Sequence, residues 1–379
     1  MTDSEHLHNG VQFVFSEAQQ QFRDYLRRFL SDNSSTTTVR EIMASEAGFD
    51  ADVWRRLHSE LALTGLCIPA EFGGAGFGMI EVGIAMEEMG RALLPSPFFA
   101  SSVVAAKTIE FAATEEQKAE FLPKMATGEM IATLAYMESA DHAGELTCRA
   151  DNSKLTGTKR YVLEGLAADL LLVVVPEPAG RAIYAVNTQQ PGVKRRKLAT
   201  IDETRRLAEV SFDNADGVRL GSGTNTEAAL TKVFDIAYIA LANECVGGAA
   251  RLFEDTLDYT KLRRQFGRTI ASFQAIKHRM AEFLLSVELA KSAAYYAAEA
   301  YDHEASNLTM LASLAKSAAS DAYVRAATES IQLHGGIGFT WENNTHLWFK
   351  RAKGSEVLFG DPSYHRTRMV SELVEQEVA

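Results

Sequence analysis

Arg263 and Gln274 flank a break between two helical stretches, in RRQFGRTIASFQAIKHRMAE from Arg263 to Glu282. The free N–H groups at the start of the second helix favour an anion. A guanidinium and an amide beside that start suit the phosphates of a cofactor. Gly267 is expected to break the first helix and Ser272 to cap the second. Phe273, Ile276, Met280, Phe283, Leu284 and Val287 then share one apolar face at helical spacing. A second glycine-dense stretch, GLCIPAEFGGAGFG from Gly65 to Gly78, follows no clear strand and lacks the Lys-Ser/Thr ending of a phosphate loop. It reads as a structural turn. His334, His346 and His365 stand alone, without a metal-ligand spacing.

Three regions must position these residues. From about 16 to 129 the chain reads as helices: Phe13, Phe22, Leu26 and Phe29 mark a first amphipathic helix, and Trp54, Leu57, Leu61 and Leu63 another. ATEEQKAEFLPKMATGE, from Ala113 to Glu129, reads as a capped helix and a connector. Between 130 and 226, Leu155–Val162, Asp169–Val175, Ala182–Asn187 and Leu207–Phe212 are short apolar runs divided by turn residues. With no helix between them, they predict an antiparallel sheet or small barrel. From 227 to the end, long Ala- and Leu-rich stretches predict a helical bundle. The domains expected are therefore 1–129, 130–226 and 227–379.

Composition narrows the class. A formal net charge of −12 and a pI near 5.3 argue against a dedicated nucleic-acid binder. Cys67, Cys148 and Cys245 are odd in number and far apart, which fits a reducing compartment. The first residues, MTDSEHLHNGVQF, lack the basic and apolar segments of a signal peptide. No uncharged run reaches the ~18 residues of a membrane helix. A cytoplasmic protein is expected.

Five motifs in one order carry a resemblance: IPAEFGGAGFG with MEEMGRAL, TEEQKAEFLPKMATGE, GTKRYVLEGLAADLLLVV, RRQFGRTIASFQAIKH and QLHGGIGFT. Together they make the chain resemble the acyl-CoA dehydrogenases over nearly all its length. The resemblance implies an all-α N-terminal domain, a small antiparallel β-barrel middle domain and a C-terminal four-helix bundle. It implies FAD, an acyl-CoA substrate desaturated between its α and β carbons, and electron transfer to an electron-transferring flavoprotein. It assigns Arg263, Phe266 and Gln274 to the pyrophosphate and adenine end of FAD. Gln332, Gly335 and Gly336 match a Q-x-x-G-G turn against the same cofactor. In the family these residues largely serve the FAD of a neighbouring subunit, so an oligomer is implied.

The sequence departs from the family where chemistry is done. Aligning KRAK, from Lys350, with the family's R-D-A-K places the usual catalytic glutamate at Phe359. The alternative position falls at Ala237. Neither side chain takes a proton. Met137 stands for the threonine of the family's T-E loop. In YVLE, Tyr161 replaces the flavin-bracketing tryptophan and Leu163 the threonine hydroxyl. Tyr161 retains a ring that can stack. Asp361, Glu356 and Glu244 are the carboxylates near the lost positions. The pattern suggests a subunit that pairs with a catalytic homologue, as in the mixed tetramers of this family in bacterial steroid side-chain degradation. A self-sufficient dehydrogenase with a displaced base such as Asp361, a flavin monooxygenase or nitroalkane-oxidase-like enzyme, and a non-catalytic CoA-ester-binding subunit are the alternatives.

Overall fold

The computed structural model describes residues 13–140, 144–178, 180–222 and 225–378. The N-terminal stretch that bears on a signal peptide, up to residue 12, lies outside them, as do Asp141–Ala143 of the T-E loop.

Among the described residues six α-helices come first: α1 (Glu17–Asn33), α2 (Thr36–Ala44), α3 (Ala51–Ser59), α4 (Met79–Ala92), α5 (Ala106–Ala112) and α6 (Glu115–Ala126). Local chemistry sets their ends. Ser16 and Gln19 form a capping box on α1, and Thr114 and Gln117 form another on α6. Leu61 and Leu63 lie beyond α3, which stops at Ser59. The glycine-dense loop is a turn, as read, with Gly73 and Gly76 at positive φ. It delivers Gly78 to the start of α4, where Asp302 accepts from Met79 N (2.6 Å) and Ile80 N (3.0 Å). A Cβ on Gly78 would strike that carboxylate. On α4, buried Glu87 pairs with Arg23 (2.9 Å) and Glu88 with Arg27 (2.6 Å), which ties α1 down.

The strands are β1 (Ala132–Ala135), β2 (Arg149–Asp151), β3 (Lys154–Leu163), β4 (Leu170–Glu177), β5 (Gly180–Asn187), β6 (Val193–Lys197), β7 (Leu207–Asp216) and β8 (Val218–Arg219). Among the described residues they form two four-stranded sheets, ordered β1-β4-β5-β8 and β2-β3-β7-β6. Pairing is antiparallel except for β1 with β4, which is parallel. The all-antiparallel expectation fails there because β1 enters directly from the helical region, beneath the π-helical turn Phe99–Ala105. Ser101 Oγ accepts from Ala132 N at 3.1 Å. β4 is buried on both faces over Leu170–Val175, which explains its unbroken apolar run.

Helix α7 (Thr226–Leu262) follows, then a two-stranded hairpin of β9 (Arg264–Gln265) and β10 (Arg268–Thr269), and then α8 (Gln274–Asp302), α9 (Leu308–His334), α10 (Thr345–Val357) and α11 (Pro362–Val378). Helix α9 is central: α7, α8, α10 and α11 all pack against it. Among the described residues α7 alone is long and apolar enough to cross a membrane, but 94% of its most apolar window is buried in the protein. It is a core helix.

Three local expectations need correction here. Helix α7 ends at Leu262, before Gly267, and Gly267 instead shares a two-residue hairpin turn with Phe266; their φ values are +79° and +51°. Both positive angles suit the right-handed twist of a tight hairpin. Ser272 does not cap α8. Its hydroxyl donates to Thr269 O (2.6 Å), and Phe273 occupies the cap position without a side-chain bond. On α8, Met280, Phe283 and Val287 are buried as expected, whereas Leu284 is exposed.

Candidate functional site

The two segments that the resemblance assigns to the cofactor meet at one end of the bundle. Tyr259, one turn before Arg263, stacks on His334 at 4.1 Å, and its hydroxyl donates to His334 O at 3.3 Å. His334 lies between Gln332 and Gly335, so the R-x-x-F-G and Q-x-x-G-G segments share this corner. Arg263, Phe266, Gln274, Gln332, Gly335 and Gly336 are all exposed, Phe266 to 90%. Gln274 opens α8, whose first N–H groups have no side-chain cap. Gly335 has φ +66°, and a Cβ built on either glycine meets nothing within 4 Å. Backbone, amide donors, a guanidinium and an uncapped helix start are therefore all exposed at this end. These residues fit the diphosphate and adenine end of FAD, which supplies a hydride-accepting ring when bound.

The opposite holds around Phe359, where the resemblance expects a catalytic glutamate. Phe359 is 3% exposed, with a left-handed backbone (φ +59°), and its ring stacks on Tyr136 at 5.7 Å and 6°. Phe99 meets it edge-on at 5.8 Å and Phe234 lies 6.2 Å away. Ala237 is fully buried one turn from Phe234. Tyr161 sits half-buried at a bulge of β3, with φ +54°. Leu163 is buried, and its carbonyl accepts from Thr133 Oγ1 at 2.6 Å. Glu138, in the T-E loop, accepts from Lys159 Nζ (2.6 Å) and from Thr147 and Cys148 amides, fixing the loop's base.

Each carboxylate named as a displaced base has structural work. Asp361 accepts from Tyr364 N (2.8 Å) one residue before Pro362, as the N-cap of α11. Glu356 pairs with Lys353 one turn before it. Glu244 is buried and pairs through one oxygen with Arg205 and through the other with Arg351. Burial raises its carboxyl, but the two guanidinium groups outweigh that and hold it below the usual carboxylate range.

The network around Glu244 was not legible in the sequence. Arg351, 3% exposed, donates to Asp202 (2.9 Å), Thr204 Oγ1 (2.6 Å) and Thr204 O (2.9 Å) besides Glu244. Arg205 also donates to Ser355 Oγ at 3.0 Å. The network joins α7, α10 and the segment before β7. Arg205 and Arg351 are 146 positions apart, and only the charge-dense ETRR run hinted at a partner. Lys316, fully buried on α9, donates to Ser320 Oγ and to the carbonyls of Ser355, Glu356 and Gly360. Burial drives its ammonium down to about 8. It holds the turn that carries Phe359.

Comparison with known proteins agrees with this architecture. The family models for the N-terminal and C-terminal domains of acyl-CoA dehydrogenases match residues 16–129 and 226–373. The acyl-CoA dehydrogenase IpdE2 of Mycobacterium tuberculosis is 34% identical over 95% of this chain and 98% of its own length. Among solved structures, a steroid acyl-CoA dehydrogenase variant, Tcur3481-Tcur3483, matches with TM-score 0.87 and 28% identity, covering 96% of this chain and 99% of that one. The ChsE4-ChsE5 complex of M. tuberculosis matches with TM-score 0.88 and 26% identity, over 96% and 99%. The chain belongs to the acyl-CoA dehydrogenase family, whose members are FAD-dependent oxidoreductases acting on CH–CH bonds.

Proposed function

We propose that this chain is the partner-dependent subunit of a mixed acyl-CoA dehydrogenase, supplying part of the FAD site of a catalytic homologue. The observation that carries the reading is a contrast within one chain. The clamp residues from Arg263 to Gly336 gather exposed at one corner, while Phe359 and its aromatic neighbours fill the place of the base. Strain points the same way. A phenylalanine held at φ +51° and 90% exposed on a hairpin tip costs about 1–2 kcal/mol with no burial in return. Contact with another subunit would offset that cost. The likeness to a two-protein complex, ChsE4-ChsE5, supports a mixed assembly, and the likeness to a steroid dehydrogenase supports a steroid-derived acyl-CoA as substrate. An electron-transferring flavoprotein would take the electrons, in the cytoplasm. Asp361, Glu356 and Glu244 are all held in caps or ion pairs, which leaves no observation favouring a self-sufficient enzyme. Counting flavin in the chain purified alone and with a co-expressed homologue tests the reading. One FAD per lone chain, with turnover, would sink it.

A further inference from the structure

A further buried carboxyl, that of Glu164, lies outside these roles. Glu164 follows Leu163 at the end of β3, is 4% exposed, and has φ +50°. Its backbone N–H donates to Arg206 O (2.9 Å) and its Oε1 accepts from Arg206 N (3.1 Å). Its Oε2 is buried and has no hydrogen-bond partner among the described residues. Glu164 lines a small, partly open cavity of about 30 Å³. Phe99 and other apolar side chains form one wall, and Arg205, Glu244 and Arg351 line the polar side. About 10–15 Å³ suffices for one water, provided two or more polar groups can bond it. An unpaired buried carboxyl oxygen is costly, so the cavity's polar side calls for such a ligand.

We propose that Glu164 and this cavity form a buried proton-binding site that holds one water at the junction of the three regions. The charges facing it define its two states. Arg205 and Arg206 lie just before β7, Arg351 comes from α10, and Glu244 from α7; Asp202 and Tyr323 stand behind Arg351. Arg205, Arg206 and Arg351 face the two carboxylates Asp202 and Glu244, so an ionised Glu164 would even the charge count, and it is burial, not a missing countercharge, that favours its protonated form. Protonated, Glu164 donates its O–H to the water. Ionised, it competes with Glu244 for Arg205, whose guanidinium also lies 5.9 Å over the Phe99 ring. Phe99 packs on Phe359, so the site connects proton uptake to the aromatic cluster. Burial pushes the carboxyl up to about 7, against the pull of Arg206, Arg205 and Arg351, so the site titrates near neutrality. The inference holds whether or not the chain needs a partner.

The sign follows from linkage. A carboxyl raised in the folded state binds more protons than in the unfolded chain, so its contribution is fully present below the unfolded value, near 4.5, and is lost as pH rises through about 7. Denaturant unfolding of the full chain and of Glu164→Gln, compared from pH 4.5 to 8, reads it directly. The expected result is that the wild type loses ground to the variant by on the order of a hundredfold in unfolding constant across that range. Parallel profiles would overturn the proposal. If Glu164→Gln does not fold, infrared difference spectra of the wild type decide instead. A buried protonated-carboxyl band that disappears between pH 5.5 and 8.5 supports the site, and its absence at the lower pH overturns it. A high-resolution crystal structure with an empty cavity would refute the water.

Discussion

Replacing Arg351 by methionine removes one guanidinium from the centre of the junction without a large change in volume. The loss can be worked out from its partners. Asp202 keeps only Thr204, whose amide donates at 2.9 Å, and Glu244 keeps only Arg205. Thr204 O, which accepts from Arg351 at 2.9 Å, loses that donor. Removing one member of a buried ion pair costs about 3–5 kcal/mol, because the other charge is left without compensation. Arg351 serves two carboxylates and is itself 3% exposed, so the upper half of that range is expected. Urea unfolding followed by circular dichroism measures it, and a cycle with Glu244→Gln isolates the pair. A double variant that loses clearly less than the two single losses summed is the expected outcome. An Arg351→Met loss below about 1 kcal/mol, or strict additivity, would refute the reasoning and free Glu244 to act as a base.

Two further substitutions separate structure from function. Gly336→Ala places a Cβ in open space at a backbone angle any residue adopts, so the stability of the chain alone should move by less than about 0.5 kcal/mol, while flavin retention in the complex falls. Unchanged flavin content would remove Gly336 from the cofactor site. Asp361→Ala should cost about 1 kcal/mol as a lost N-cap, largely recovered by Asp361→Asn or Asp361→Ser, with turnover of a reconstituted complex unaffected in all three. Loss of turnover in Asp361→Asn at full stability would make it a base after all.

What could be read from the sequence followed the range of each physical signal. The capping box at Thr114 and Gln117 lies within four residues, and it was legible together with its helix. The R-x-x-F-G and Q-x-x-G-G segments were legible as motifs, but their meeting at Tyr259 and His334 depends on how α7 packs along α9. Ser272 misled because a serine one residue before a cap looks like a cap; the hairpin turn at Phe266 and Gly267 set the register instead. The parallel pairing of β1 was hidden because its four-residue strand carries no record of direction. Glu164 and Arg351 were hidden most deeply. A buried charge reads like a solvated one until its partners, more than 100 positions away for Arg351 and Glu244, are brought beside it.

Flavin content per chain separates a partner-dependent subunit from a self-sufficient enzyme. The chain purified alone, and again after co-expression with a catalytic acyl-CoA dehydrogenase subunit, is measured by visible absorbance against protein concentration, with acyl-CoA bleaching as the second readout. A partner-dependent subunit carries little flavin and shows no bleaching alone, and in the complex the flavin is retained and bleached by substrate. A full complement of FAD on the lone chain, reduced by an acyl-CoA, would contradict it.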